Sequence, residues 1–266
     1  MAHVFTNGIW LSYERFGRGE IVLMIMGQAA AGRVWTLHQT PALVQAGYQA
    51  VTFDNRGVPP SDAPAGKYSL ADMVADTRGL IEALHAGPCR IVGASLGALI
   101  AQELAAGWPE LVRCAVLIAT KSRSDAARAA QSAAARARLE SGVRLPPELD
   151  SSTAVLQMLS PATLNDDRTV SQWLEIYRHT SGDEIAQGQV WVDTDIDRRN
   201  ALRTVRAPCR VISFSDDLIT PPHLAAEVAA AIPNCDLVEI ANCGHSGYLE
   251  RPAEVNEAII EFLDKH

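Results

Sequence analysis

Short apolar runs and longer stretches with helical spacing alternate along most of this 266-residue chain. "HVFTNG" and "WLSYERFG" read as two strands joined at the tight turn Asn7-Gly8. "EIVLMIMG" is a continuous apolar run ending in Gly27, the mark of a strand covered on both faces. "RVWTLHQTPALVQAG" has helical spacing, with Pro41 early and Gly47 as a stop, and "QAVTFD" is the next strand. "SLADMVADTRGLIEALHAG" predicts a helix capped by Ser69 and closed at Gly87. "CRIVGA" and "RCAVLIA" are strands on either side of the helical "LGALIAQELAAG". Much later come the strands "CRVISF" and "CDLVEIA", with a helix near 222–231 between them. The last helix is "PAEVNEAIIEFLDK", with Pro252 in its first turn.

These eight strands alternate with helices. Such a series predicts an α/β fold with a mainly parallel eight-stranded sheet flanked by helices on both faces. The series breaks at residues 121–206, where helical patterns continue without strands. The expected organisation is one α/β body, 1–120 plus 207–266, with a helical cap, 121–206, inserted between two strands. The cap begins "KSRSDAARAAQSAAARARLE", either one long helix or a helix with a kink. No internal repeat interrupts this reading.

Composition narrows the partners. Hydrophobic residues make up 48% and charged residues 20%, as in ordinary globular proteins. The net charge of −8 argues against nucleic acid or an anionic membrane as partner, because both need clustered cations. The five cysteines include no Cys-x-x-Cys pair, so buried free thiols in a reducing compartment are expected, with no metal and no cofactor. The opening residues lack the basic-then-apolar order of a signal peptide, and no apolar run reaches ~18 residues. A cytoplasmic location is expected.

The chemistry starts at "RIVGASLGALIAQELA". A strand runs into Gly93-Ala94-Ser95-Leu96-Gly97, and a helix follows. Ser95 is either a nucleophile on a strained strand-to-helix turn or a small residue where bulk would clash. A serine hydroxyl needs a base. Of seven histidines, only His245, in "ANCGHSGYLERP", follows a predicted sheet strand directly and precedes the last helix. The carboxyl ends of parallel strands share one edge, which brings His245 to the side of Ser95. A loop histidine bonded to a backbone carbonyl is the plainer alternative. "CRVISFSDDLITPPH" offers Asp216 and Asp217 as the acid that would orient the imidazole. The order Ser95, Asp, His245 is the one this architecture requires.

With "FDNRGVPPSD", "GASLG", "SFSDDLITPP" and "GHSGYLERPAEVNEAIIEFL" together, the sequence resembles the α/β-hydrolase superfamily over nearly the whole body. The resemblance implies a Ser-Asp-His triad. Family members carry Asp-x-x-x-Pro after the acid strand, a spacing that Asp217 meets with Pro221 and Asp216 does not. It also implies an oxyanion hole from the backbone N–H groups of Leu96 and Gln28. Many relatives have His-Gly-x where this chain has Met26-Gly27-Gln28. Gly27, Trp173, Tyr177 and Trp191 are candidate substrate contacts, and Trp35 is another aromatic candidate. Core packing is the competing role for each aromatic. Asp54 and Arg56 are expected to brace their loop, which Pro59 and Pro60 stiffen.

The implied function is serine-dependent acyl transfer. Its first form is hydrolysis of an ester or thioester through an acyl-Ser95 intermediate. Its second is acyl transfer from a carrier-protein or CoA thioester, or lyase or cyclase chemistry, on the same triad. The stretch from Met26 to Asp62 resembles hydrolase-type tailoring proteins of actinobacterial thiopeptide and polyketide pathways. A catalytically silent binding protein is the third reading. Residues 121–145 hold Lys121, Arg123, Arg128, Arg136, Arg138 and Arg144 against Asp125 and Glu140. That run is a solvated helix face or a dock for an acidic partner such as an acyl carrier protein.

Overall fold

All eight expected strands appear in the computed structural model, which describes residues 1–180 and 186–266. They are β1 (Ala2–Thr6), β2 (Ile9–Gly17), β3 (Ile21–Ile25), β4 (Gln49–Phe53), β5 (Cys89–Ala94), β6 (Val112–Ile118), β7 (Cys209–Phe214) and β8 (Cys235–Ile240). Their order in the sheet is β1-β2-β4-β3-β5-β6-β7-β8. β2 is antiparallel to both of its neighbours, and every other pairing is parallel. Asn7 and Gly8 have φ of 47° and 78°, the left-handed pair that a two-residue hairpin turn needs.

Helices α1 (Gln39–Gln45), α2 (Leu70–Ala83) and α3 (Leu96–Gly107) follow β3, β4 and β5. Between β6 and β7 lie α4 (Ala126–Ser141), α5 (Pro147–Met158), α6 (Pro161–Leu164), α7 (Asp167–Thr180) and α8 (Arg199–Leu202). The chain closes with α9 (Pro222–Ala231), α10 (Gly247–Glu250) and α11 (Pro252–Lys265). Alternation along the strands fills both faces of the sheet. Leu23, Ile91 and Leu117 enter a core with Met73 and Leu80 of α2 and Leu104 of α3. Val22, Val92 and Val116 enter another with Leu43 of α1 and Ile259 and Phe262 of α11. Each such side chain contributes about 2 kcal/mol of burial.

Two helical readings sharpen. Residues 33–47 form a 3₁₀ turn over Gly32–Leu37 and then α1, broken at His38. An unbroken helix would press the Pro41 ring on the Leu37 carbonyl, whereas the break puts Pro41 in a first turn. α2 begins as predicted, with a capping box between Ser69 and Asp72, but stops at Ala83, ahead of Gly87. α4 is a single helix. Asp125 caps it by accepting from Arg128 N, and Gly142 ends it at φ 65°. α8 packs against α3 and α9, and Leu202 and Val205 join the core beneath them. Among the described residues, no helix is long and apolar enough to cross a membrane.

Candidate active site

Ser95 sits between β5 and α3 with φ 53° and ψ −116°, a conformation that costs an L-residue about 1–3 kcal/mol. The flanking glycines make the turn possible. A Cβ on Gly93 would lie 2.4 Å from the Gly97 carbonyl oxygen, and one on Gly97 2.1 Å from that of Ile25. Without those carbons, α3 lies directly on the strand ends and Ser95 protrudes. Its own N–H donates to Ile118 O of β6 at 2.9 Å.

Ser95 Oγ lies 3.0 Å from His245 Nε2, and His245 Nδ1 lies 2.8 Å from Asp217 Oδ2. His245 and Asp217 are buried. Asp217 Oδ1 accepts from the N–H groups of Ile219 and Thr220, and Thr220 Oγ1 donates to Oδ2. Burial pushes the Asp217 carboxyl up. The His245 charge and the hydrogen bonds from His245 and Thr220 outweigh that, and the group sits below its ordinary value. An ionised Asp217 makes Nδ1 the protonated ring nitrogen and turns Nε2 toward Ser95. Asp216 points elsewhere, with its carboxyl 3.1 Å from Ser215 Oγ.

The His245 loop is tied to the inserted helices. Ser246 N donates to Met158 O at 2.9 Å. Glu250 accepts from Gly244 N through Oε1, and from Ser160 N and Oγ through Oε2. Gly244 is pressed so closely on this segment that a Cβ would meet Leu159 C at 2.7 Å.

Opposite the elbow runs the loop after β3. Gly27 packs on the serine, where a Cβ would lie 3.2 Å from Ser95 Cβ. Among the described residues, no acceptor takes the backbone N–H of Gln28 or of Leu96. Three side chains brace this loop. Asn55 Nδ2 donates to Met26 O, and Asp54 accepts from Gly32 N. Ala29, at φ 57°, donates its N–H to Gln189 Oε1 at 2.8 Å, while Gln189 Nε2 donates to Arg56 O at 2.7 Å. Arg56 is itself held by Asp76 in a buried ion pair. Asp54 and Arg56 were expected to brace their own loop; the Asp54 carboxylate instead holds Gly32 of the loop after β3, and the Arg56 guanidinium ties its segment to α2 through Asp76. Gln189, from the 3₁₀ turn Gln187–Trp191, gave no sequence signal, since its partner Ala29 is 160 residues away.

A cavity of about 520 Å³ opens over Ser95, Leu96 and Gln28. α4 lines it with Arg128, Gln131, Ala135 and Arg138, and α5 with Asp150, Thr153 and Gln157. A second cavity of about 510 Å³ shares Gln28, Ala135 and Arg138 with the first. Neither is lined by Trp173, Tyr177 or Trp191. Trp173 and Tyr177 stack on each other at 5.6 Å. Trp191 carries the Lys67 ammonium over its ring at 3.4 Å. Trp35 is buried against Tyr248. The walls of the first cavity thus hold no aromatic side chain, where aromatics were expected. The signal lay in the three- and four-residue spacing of 128, 131, 135 and 138.

The basic run is largely paired within the chain. Arg123 meets Glu227, Arg128 meets Asp125, Arg136 meets Asp195 and Arg138 meets Asp150. All five cysteines are free thiols. Among the described residues, no group of three His, Cys, Asp or Glu side chains is placed to hold a metal ion.

An eight-stranded sheet in this order, with a serine elbow after β5, defines an α/β-hydrolase fold. The chain belongs to the alpha/beta hydrolase family, whose model matches residues 4–258. It is 43% identical over 258 residues to the Mycobacterium tuberculosis H37Rv protein named "Putative non-heme bromoperoxidase BpoC", covering 95% of this chain and 97% of that one. The crystal structure of BpoC superposes with a TM-score of 0.92, over 96% of each chain. A Variovorax paradoxus protein named "Putative carbamate hydrolase RutD" is 25% identical, over 95% of this chain and 96% of its own. The enol-lactonase of Burkholderia xenovorans LB400 shares the fold at a TM-score of 0.82 and 21% identity, over 99% of this chain and 100% of that one.

Proposed function

We propose that this enzyme is a serine hydrolase that cleaves an ester or thioester through an acyl-Ser95 intermediate. The observation that carries the proposal is the buried relay from Ser95 Oγ through His245 to Asp217, at 3.0 and 2.8 Å. His245 Nε2 takes the serine proton as Oγ attacks the carbonyl carbon. The N–H groups of Gln28 and Leu96 hold the oxyanion, helped by the positive end of α3. Asp217 stabilises the imidazolium, which then protonates the leaving group. Water, deprotonated by His245, releases the acid and restores Ser95. Hydrolase names among the relatives favour water as the acceptor.

A fluorophosphonate probe tests the first half. It should label the wild type and fail on Ser95→Ala. Turnover of p-nitrophenyl esters and acyl-CoA thioesters tests the second half, with hydrogen peroxide plus bromide as an added arm for the activity in the BpoC name. Absence of labelling in a protein with a native melting transition would overturn the proposal.

A further inference from the structure

Lys121 is buried, at 8% exposure, in the wall of the cavity that holds Ser95. It reaches that wall because β6 lies beside β5, with Ile118 paired to Ala94, and Lys121 follows three residues later. Its ammonium donates to Ser124 Oγ at 2.6 Å. Among the described residues, no carboxylate comes within salt-bridge reach of it. The charged groups around it are Asp195 and Asp125, set against Arg198 and Arg128. Asp195 is the strongest of these influences, and it reaches the ammonium only through the Ser124 hydroxyl, which donates to Asp195 Oδ1 at 2.6 Å. Burial pulls its pKa below the ordinary value, against the opposing influence of Asp195.

Arg128 lines the same cavity. Its Nη1 meets Asp125 and its Nη2 donates to Leu218 O, while its buried Nε has no acceptor. The one carboxylate among the cavity-lining residues, Asp150, is already engaged by Arg138 at 2.6 Å. Asp125 and Asp195 are not part of that lining, so the face turned to a substrate is cationic. A buried ammonium that no carboxylate touches directly gains charge-assisted hydrogen bonds from a bound anion.

We infer that the substrate carries an anionic oxygen group, remote from the scissile carbonyl, which Lys121 and Arg128 hold in this cavity. The inference rests on the serine-hydrolase reading for its kinetics, though not for binding. Carboxylate and phosphate share the required chemistry.

The test compares mono-p-nitrophenyl glutarate with p-nitrophenyl pentanoate, which differ by a terminal carboxylate. Wild type should favour the glutarate ester at least tenfold in kcat/KM. Lys121→Met should cut that ratio at least tenfold, and Lys121→Arg should restore part of it. A wild-type ratio below one, or a ratio untouched by Lys121→Met, would overturn the inference. If Lys121→Met does not fold, Lys121→Gln replaces it. If neither ester is turned over and Ser95 resists labelling, the hydrolase reading has failed. Binding then decides alone. Glutarate or inorganic phosphate should raise the Tm of Ser95→Ala, and the rise should vanish in the Ser95→Ala, Lys121→Met double variant. Whichever anion gives the larger rise identifies the group, and no rise with either removes the site.

Discussion

In the body, β5 and β7 bury all six of their residues, whereas α4 in the inserted segment has no buried residue at all. The body holds the Ser95 turn with backbone: Gly93 packs against Gly97, Gly97 against the Ile25 carbonyl, and the Ser95 N–H donates to Ile118 O. The insert meets the cavity with side-chain tips such as Gln131, Thr153 and Gln157. Close-packed backbone fixes position and tolerates no added methyl. Polar tips on an exposed helix are replaceable without unfolding anything. The contrast separates an elbow fixed by backbone in the body from a cavity wall of replaceable side chains in the insert.

Four substitutions test that division. The largest effect is expected from Asp217→Asn, which keeps the shape but inverts the imidazole tautomer, with kcat falling about 10⁴-fold in an ester assay. It also removes a pH-dependent share of stability. A carboxyl held below its ordinary value stabilises the fold above the unfolded value of 3.8, and that share is lost as pH falls through the folded value. Denaturant titrations on both sides of that window should show a loss in wild type that the variant lacks.

Next comes Gly97→Ala, whose methyl would strike the Ile25 carbonyl. Its cost of about 3 kcal/mol should lower the Tm by roughly 6–12 °C in a calorimetric scan. Gln189→Ala is the substitution that can break the comparison, because the residue belongs to the insert yet holds the Gln28 loop. With Ala29 N–H orphaned, kcat should fall about 10- to 100-fold with little change in KM. A change confined to KM would place Gln189 with the cavity wall and keep the division clean. Gln131→Ala should be the mildest. Its stability should change by less than about 0.5 kcal/mol, with effects confined to relative kcat/KM among esters of different chain length.

The same contrast explains what the sequence could disclose. Continuous apolar runs such as "CRIVGA" and "CRVISF" leave few options besides a doubly covered strand. Ser95 was legible because it directly follows such a run, and Asp217 and His245 because each lies in the loop just after a predicted strand. Asp217 was separable from Asp216 by its spacing to Pro221, and the distance to His245 agrees. The break at His38 was hidden because helical spacing persists across it, and only the Pro41 ring imposes the stop. The insert was harder. Its aromatics satisfy one another, as Trp173 and Tyr177 do, or hold a cation, as Trp191 does. Apolar character there did not mark the pocket. Gln189 was invisible because its role exists only once two distant segments meet.

The clasp at Glu250 has a consequence for recombination. Met158 and Ser160 lie well inside the insert, but they grip the His245 loop by backbone, and Gly244 admits only one path for Leu159. A chimaera that exchanged the whole of 121–206 would therefore trade away part of the histidine mount along with the pocket wall. Crossovers placed on either side of 158–163 leave that mount intact, with α5 and α7, which pack on each other across it, exchanged together. Diversification of this scaffold then proceeds around a fixed seam.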